Sequence, residues 1–346
     1  MHMADALLSP AVGGTMWAAA AATTAYCSKK VRAEMDDQKV PLMGVLGAFI
    51  FAAQMINFTI PATGSSGHLG GGMILAILLG PHAAFLTMAS VLIVQALFFA
   101  DGGLLALGCN IFNLGVFPCF VAYPFFYRPI AGEKPTPRRL AVACMVSAVA
   151  GLQLGAFGVV LETVFSGISE LPFSTFALLM QPIHLAIGIV EGLVTTAVVT
   201  FVWRAQPAIL ERATSRQPLG GVSVRKVLAG LAVVALATGG ALSWFASANP
   251  DGLEWSMAKV SGKEELESKE SLHETLGALQ EKVAFLPDYG FKKPEPSPGA
   301  TPEKEEAPAW PAVDAGTSVS GIVGGVITLA VAGLIGFALR RRNPST

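Results

Sequence analysis

Long runs of apolar residues recur along the chain, and short polar stretches separate them. Each run is continuous rather than alternating, and most come close to the about 20 residues that a helix needs to cross a bilayer. A segment inside lipid must satisfy its own backbone hydrogen bonds, so these runs predict helices. The pattern predicts about nine transmembrane helices, at 11–28, 41–60, 70–80, 82–100, 104–127, 140–160, 179–203, 227–246 and 317–339.

The composition agrees with a membrane protein. Hydrophobic residues make up 53% of the 346 residues and charged residues 14%, whereas soluble domains carry about 25% charged residues. The formal net charge of −1 argues against a nucleic-acid partner. We therefore predict an all-α, multi-pass protein surrounded by lipid in the plasma or inner membrane. The cysteines lie in apolar runs without a C-x-x-C pair and are interpreted as core residues: Cys27, Cys109, Cys119 and Cys144.

The basic residues predict the topology. Residues 1–10 contain no lysine or arginine, so the basic start of a signal peptide is missing and we expect the first residues to be retained. Lys29, Lys30 and Arg32 follow the first apolar run. Cytoplasmic loops are enriched in lysine and arginine, which puts the N-terminus outside and this loop inside. The basic stretches at 128–139, 204–226 and 340–342 fit the same alternation.

The chain divides into two parts with a linker between them. Residues 1–204 are predicted to form a seven-helix bundle, in which the short third segment ends at Gly80-Pro81 and is a partial or re-entrant helix. Residues 205–226 form a cytoplasmic linker. Residues 227–346 contribute two helices around an outside segment, 247–316, in which 262–284 is a candidate amphipathic helix. The stretch Lys292 to Pro311 is rich in Pro, Glu, Ala and Lys, which is typical of an extended spacer.

The first two residues, Met1 and His2, carry a possible metal chelate. A free α-amine, the backbone nitrogen of His2 and its imidazole nitrogen can hold one cation in fused rings, and an in-plane nitrogen set suits Ni²⁺ or Cu²⁺. His68 lies in a glycine-rich loop that the topology places on the same side as Met1. A histidine at the second position alone is usually accidental. A second histidine at the same membrane face strengthens the hypothesis of a metal site.

Several motifs resemble the nickel/cobalt substrate-capture components, of NikM and CbiM type, of energy-coupling-factor transporters. They include the Met-His-Met-Ala-Asp-Ala-Leu-Leu-Ser-Pro start and further stretches at 65–71, 79–81, 95–103, 107–115 and 182–192. The resemblance covers residues 1–204. It implies that the N-terminal amine of Met1, His2 and His68 hold the metal. It also implies an ATPase subunit and a transmembrane coupling subunit as partners.

The C-terminal part resembles the companion N component, whose signature is a Pro-Asp-Gly-Leu-Glu run. Here that run is Pro250 to Glu254, directly after the eighth predicted span. Locally, Pro-Asp-Gly is also an ordinary turn. The resemblance implies a natural fusion of both components, in which this segment docks near the metal-binding loop.

Ionisable residues inside the predicted spans are costly and often functional. His184 and Glu191 are two helical turns apart, so they share one face of the seventh span. Pairing with neighbouring helices and lining a path are both open for them. Asp101, followed by two glycines, is interpreted as a turn residue rather than a metal ligand.

Two other classes of protein deserve comparison with a metal importer. Gly64-Ser-Ser-Gly67 and His184 faintly resemble an intramembrane serine protease, which would use Ser66 as nucleophile and His184 as base. A carrier that works alone is the other class, but no inverted repeat is evident. The chain has no G-x-x-x-x-G-K-[ST] loop, so ATP hydrolysis belongs to another subunit and the chain is not an enzyme. We expect capture of Ni²⁺, or alternatively Co²⁺, as transported ligand, without a cofactor.

Overall fold

The computed structural model describes residues 2–169, 171–263, 266, 271–292 and 310–340. Helices account for about three quarters of the described residues, which also include two short strands. The bounds of the helices in chain order are as follows: α1 Pro10–Glu34, α2 Lys39–Gln54, α3 Gly72–Leu79, α4 Pro81–Phe99, α5 Leu107–Ile111, α6 Arg128–Ala131, α7 Pro137–Ser166, α8 Phe173–Ala205, α9 Pro207–Ser215, α10 Arg225–Gly240, α11 Gly252–Ser261, α12 Ser271–Val283 and α13 Ala315–Leu339.

The predicted all-α membrane fold is confirmed. In the part of the chain that the structure describes, 5 helical segments are long and apolar enough to cross a membrane. They coincide with the fourth to seventh and the last predicted spans: Pro81–Phe98, Leu107–Ala131, Pro137–Ser166, Phe173–Ala205 and Ala315–Leu339. At the other predicted spans, α2 and α10 have 16 residues each and α3 has 8. Helix α1 is long enough, with 25 residues, but is less apolar. The count of nine stays a prediction.

The fifth predicted span is not a regular α-helix. Between α5 and α6 the chain forms a π-helix, Phe112–Tyr127, which contains Pro118 and Pro124. Proline has no N–H and collides with the preceding turn of an α-helix, which favours a different hydrogen-bond pattern. A Cβ on Gly72 would lie 2.6 Å from the Pro118 ring. The absence of a side chain at Gly72 therefore lets α3 start directly against this segment.

Small residues join the C-terminal helices to the bundle. A Cβ on Gly44 of α2 would lie 3.0 Å from the carbonyl oxygen of Leu329 in α13. Gly239 of α10 meets Gly321 of α13 so closely that an added Cβ on either would contact the other's backbone. Glycine allows such close approach of membrane helices. The two predicted parts of the chain therefore pack as one body along α2, α10 and α13.

The segment between α10 and α13 lies at the same end of the bundle as the N-terminus. It contains α11, α12 and a short 3-10 turn at Pro287–Tyr289. Helix α12, with 13 residues, falls within the predicted amphipathic stretch. Of the predicted spacer Lys292–Pro311, residues 293–309 lie outside the described residues.

Candidate metal centre

Backbone hydrogen bonds hold the first residues against the loop after α4. The N–H of Met3 donates to Asn110 Oδ1 at 2.8 Å, and the N–H of Gly103 donates to the carbonyl of Met3 at 2.9 Å. Asp5 accepts from the N–H of Ala106 at 2.9 Å. A Cβ on Gly103 would collide with Asp5, which explains a glycine here. These contacts place His2 at the start of a fixed segment rather than on a loose end.

A short hairpin presents His68. Strands β1 (Phe58–Ile60) and β2 (Ser65–Gly67) pair antiparallel, and His68 follows β2 directly. The carboxylate of Glu191 accepts from the N–H of Gly70 at 2.7 Å and of Gly71 at 3.1 Å. Gly71 has a φ of +77°, a conformation that favours glycine. Glu191 thereby fixes the backbone two positions after His68, so it supports the loop from within α8.

The two histidines meet. Their ring centroids lie 5.0 Å apart and their planes are inclined by 30°. The side chain of His2 is 6% exposed, and its Nε2 is buried without a hydrogen-bond partner among the described residues. His68 donates from Nδ1 to the carbonyl of Leu69 at 3.0 Å. Burial, followed by repulsion from neighbouring positive charge, lowers the pKa of His68 to about 3. The ring is therefore neutral at physiological pH, the form that binds metals.

Asp101 contacts His2, whereas the sequence favoured a turn role for it. The Nδ1–H of His2 donates to Asp101 Oδ1 at 2.7 Å, and the hydroxyl of Tyr289 donates to Asp101 Oδ2. Burial raises the pKa of Asp101, but the charge of His2 and the hydrogen bonds from His2 and Tyr289 outweigh it and leave the pKa well below its usual range. An anionic carboxylate therefore borders the two histidines.

The ring orientation of His2 bears on the fused chelate expected from the sequence. Rings that include the backbone nitrogen of His2 close on its Nδ1, and that atom donates to Asp101. The other ring nitrogen, Nε2, is buried without a hydrogen-bond partner among the described residues. The fused chelate therefore requires the imidazole to turn away from Asp101 and stays a prediction. Met1, whose amine is the remaining expected donor, lies outside the described residues.

The Pro-Asp-Gly-Leu-Glu run docks on the hairpin that carries His68. The N–H of Ser66 donates to the carbonyl of Pro250 at 2.8 Å, and the Ser66 hydroxyl donates to the carbonyl of Asn249 at 2.8 Å. The indole N–H of Trp255 donates to the carbonyl of Thr63 at 3.0 Å. Asp251 and Glu254 form a capping box at the start of α11. The run is thus both a helix cap and the docking surface for the His68 loop.

Helix α12 covers the site from outside the bundle. His273 Nε2 donates to the carbonyl of Leu8 at 2.9 Å, and the amide of Gln280 donates to the carbonyl of Gly102 at 2.7 Å. Beneath α12 a cavity of about 590 Å³ reaches both His2 and His68. Among the described residues no three His, Cys, Asp or Glu side chains form a complete metal site.

Comparison with known proteins gives the family. Residues 2–209 match the family model CbiM, described as the cobalt uptake substrate-specific transmembrane region. The chain belongs to the CbiM family. Residues 225–341 match the PDGLE domain, so this CbiM-type chain is a fusion of the two components, as the motifs predicted.

Relatives and a solved structure agree with this membership. A putative fused nickel transport protein, NikMN, of Archaeoglobus fulgidus is 33% identical over 99% of this chain and 98% of its own length. A putative metal transport protein of Haloquadratum walsbyi is 36% identical over 61% of this chain and 93% of its own. The crystal structure of a truncated transition metal transporter is 31% identical, with a TM-score of 0.53, over 59% of this chain and 99% of that one. The family model, these relatives and this structure therefore support a role in metal transport for the CbiM-type chain.

Ser66 and His184 of this CbiM-type chain do not have the geometry that a serine protease needs. The hydroxyl of Ser66 donates to Asn249 rather than to a histidine. His184 donates from Nδ1 to the carbonyl of Met180 in its own helix at 2.8 Å. A serine nucleophile needs a hydrogen bond to its base, and both groups bond elsewhere. The contact of Glu191 with the His68 loop was not predicted, because no local pattern links residues 121 positions apart.

Proposed function

We propose that this chain is the substrate-specific subunit of an ATP-driven energy-coupling-factor importer for Ni²⁺. It captures the ion at the outer face through the α-amine of Met1, His2 and His68. The observation that carries the proposal is the 5.0 Å approach of the two imidazole rings in a cavity where His2 Nε2 is buried without a partner. An unsatisfied buried nitrogen beside the neutral imidazole of His68 is costly unless a ligand completes it.

The donor set favours a borderline-soft transition metal. Imidazole and amine nitrogens suit nickel, copper, zinc and cobalt better than magnesium or calcium, which prefer oxygen. The anionic Asp101 beside His2 offsets part of the positive charge of a bound dication. It also provides the carboxylate that commonly orients a metal-binding histidine through its second ring nitrogen.

Nickel is the first candidate and cobalt the second. Nitrogen donors suit both Ni²⁺ and Co²⁺, but a relative that aligns over nearly the whole chain is named as a nickel transport protein. The family model is described by cobalt uptake, which supports Co²⁺ as the alternative. Both ions would use the same residues.

Energy for transport comes from other subunits in this proposal. The chain contains no G-x-x-x-x-G-K-[ST] run for binding nucleotide phosphates. We propose an ATPase subunit and a transmembrane coupling subunit as partners. The basic loops at 128–139 and 204–226 support an orientation in which partner contacts are cytoplasmic and the site faces outside.

Metal titration of the purified full chain tests the proposal. We expect one equivalent of Ni²⁺ to bind, with a ligand-field spectrum typical of nitrogen donors, and Co²⁺ to bind more weakly. His2→Ala should abolish binding, and His68→Ala should weaken it by opening one coordination position. His82→Gln is the matched control, because the ring of His82 lies between Tyr26 and Phe120, away from the site. Unchanged nickel binding in both alanine variants would contradict the proposal.

A further inference from the structure

The cavity that reaches the two histidines is lined by more acidic than basic side chains. Its described lining contains carboxyl side chains but no lysine or arginine side chain. The acidic lining residues are Asp5, Asp101, Asp251, Glu254, Glu274 and Asp288. His2 also lines the cavity; its side chain is 6% exposed, and its Nε2 has no hydrogen-bond partner among the described residues. The carboxylates therefore surround the approach to a buried nitrogen that can bind a cation.

The cavity is large enough for a cation that still carries its water. Its volume is about 590 Å³, many times the about 15 Å³ that one water molecule needs. The walls mix polar atoms with apolar residues such as Leu7 and Leu253. Carboxylates in a cleft with low-dielectric walls raise the local concentration of cations and repel anions.

Most of this charge comes from the C-terminal part of the chain. Glu274 belongs to α12, and Asp288 lies in the 3-10 turn that follows α12. Asp251 caps α11, and Glu254 lies in the first turn of that helix. The N-terminal bundle contributes Asp5 and Asp101. Docking of the PDGLE part therefore changes an open histidine site into an acidic chamber.

We infer that this chamber is an antechamber in which hydrated divalent cations accumulate before they lose water to the histidines. The inference rests on the proposed function and adds a role for the PDGLE part, which is to raise the rate of capture. The charge of the chamber also determines which chemical form of the metal can enter. A hydrated dication is attracted into the chamber, whereas an anionic chelate of the same metal is repelled by it.

Glu274 allows a clean test, because it is exposed at the start of α12 and lines the cavity. Glu274→Gln removes one charge and Glu274→Asp keeps it. Glu281→Gln is the matched control, since Glu281 is an exposed acid on the same helix outside the cavity lining. The probe is Ni²⁺, mixed with the purified full chain by stopped flow, with quenching of tryptophan fluorescence as signal. Equilibrium occupancy is measured on the same samples.

We expect Glu274→Gln to slow Ni²⁺ association by about two- to fivefold at low salt, which is the order of magnitude for a divalent ion near one charge. The difference should vanish at about 0.5 M salt, and the dissociation rate should not change. Glu274→Asp and Glu281→Gln should associate like the wild type. Normal nickel occupancy with no rate difference for Glu274→Gln, or an equal loss for Glu281→Gln, would overturn the antechamber alone. Absence of nickel binding by the wild type would overturn the proposed function instead.

Discussion

The imidazole of His2 and the carboxylate of Asp101 are joined by a hydrogen bond of 2.7 Å between Nδ1 and Oδ1. Tyr289 donates to the other oxygen of the same carboxylate. A residue from each part of the chain therefore holds Asp101, and Asp101 in turn orients the first histidine of the site. Through these two hydrogen bonds the C-terminal part can influence the candidate metal site of the N-terminal bundle.

Removing the charge of Asp101 should weaken nickel binding. Asp101→Asn keeps the shape of the side chain but loses the anion beside a bound dication, and its amide orients His2 less well. Loss of such an outer-sphere partner typically costs about 10- to 100-fold in metal affinity. Calorimetric titration of the purified chain with Ni²⁺ measures the change. Asp37→Asn is the control, because Asp37 pairs with Arg340 away from the site. Equal affinities for wild type and Asp101→Asn would contradict the orienting role.

Tyr289→Phe should weaken nickel binding by a smaller factor, because it removes one hydrogen bond to Asp101 and leaves the carboxylate in place. The ring itself should stay, since it stacks on Phe99 with centroids 5.1 Å apart. The double variant Asp101→Asn/Tyr289→Phe should bind no more weakly than Asp101→Asn alone, because the two residues act through one contact. Additive losses in the double-mutant cycle would show that Tyr289 acts by another route.

Glu191 should support the site through the backbone of the His68 loop. Glu191→Gln leaves one oxygen to accept where two now accept from Gly70 and Gly71, so one buried N–H loses its partner at about 1–3 kcal/mol. We expect lower thermal stability and about tenfold weaker nickel binding, since a displaced ligand loop loses its geometry. Glu162→Gln is the control, because that buried carboxylate bonds Asn113. It should lower stability without a change in nickel affinity.

The sequence predicted the helical membrane fold and the fusion, and it singled out both histidines of the site. The hydrophobic runs predicted the helices, and the basic loops predicted that His2 and His68 lie at the same face of the membrane. The structure brings their rings together, while their metal role stays a prediction. The sequence could not predict the contacts that support the two histidines. One of them is the hydrogen bond between Asp101 and Tyr289, which lie 188 positions apart in the chain. Such contacts form only when the C-terminal part docks on the bundle, and this docking leaves no periodic pattern in the sequence.

The hydrophobic pattern also did not predict the end of α2 or the short β1–β2 hairpin. The segment at 41–60 was expected as a full span, but α2 ends at Gln54 and the chain turns into the β1–β2 hairpin. Apolar residues such as Phe58 and Ile60 extend the hydrophobic run into a strand. Hydropathy alone does not separate a span from a buried hairpin that lies next to it.

Proton release on metal binding should come from the N-terminus and not from His68. The pKa of His68 is lowered to about 3, so its ring is already neutral above about pH 4 and has no proton to lose when the ion binds. The α-amine has an ordinary pKa of about 7.7–8.0 and is mostly protonated at pH 7. Titrations in buffers of different ionisation enthalpy should give the same proton count for wild type and His68→Ala. A count lowered by one in His68→Ala would contradict this assignment.

The N-terminal amine itself is the donor whose chemistry should matter most. Met3 is completely buried and hydrogen-bonded to Asn110, so residues placed before Met1 cannot be accommodated by sliding the segment along. An N-terminal tag turns the amine into an amide, which is a poor donor, and should abolish nickel capture with the melting temperature unchanged. Cleavage that leaves Met1 first should restore capture, and a C-terminal tag should be harmless. Nickel per purified chain measures this, and equal occupancy for N-tagged and C-tagged chains would remove the amine from the site.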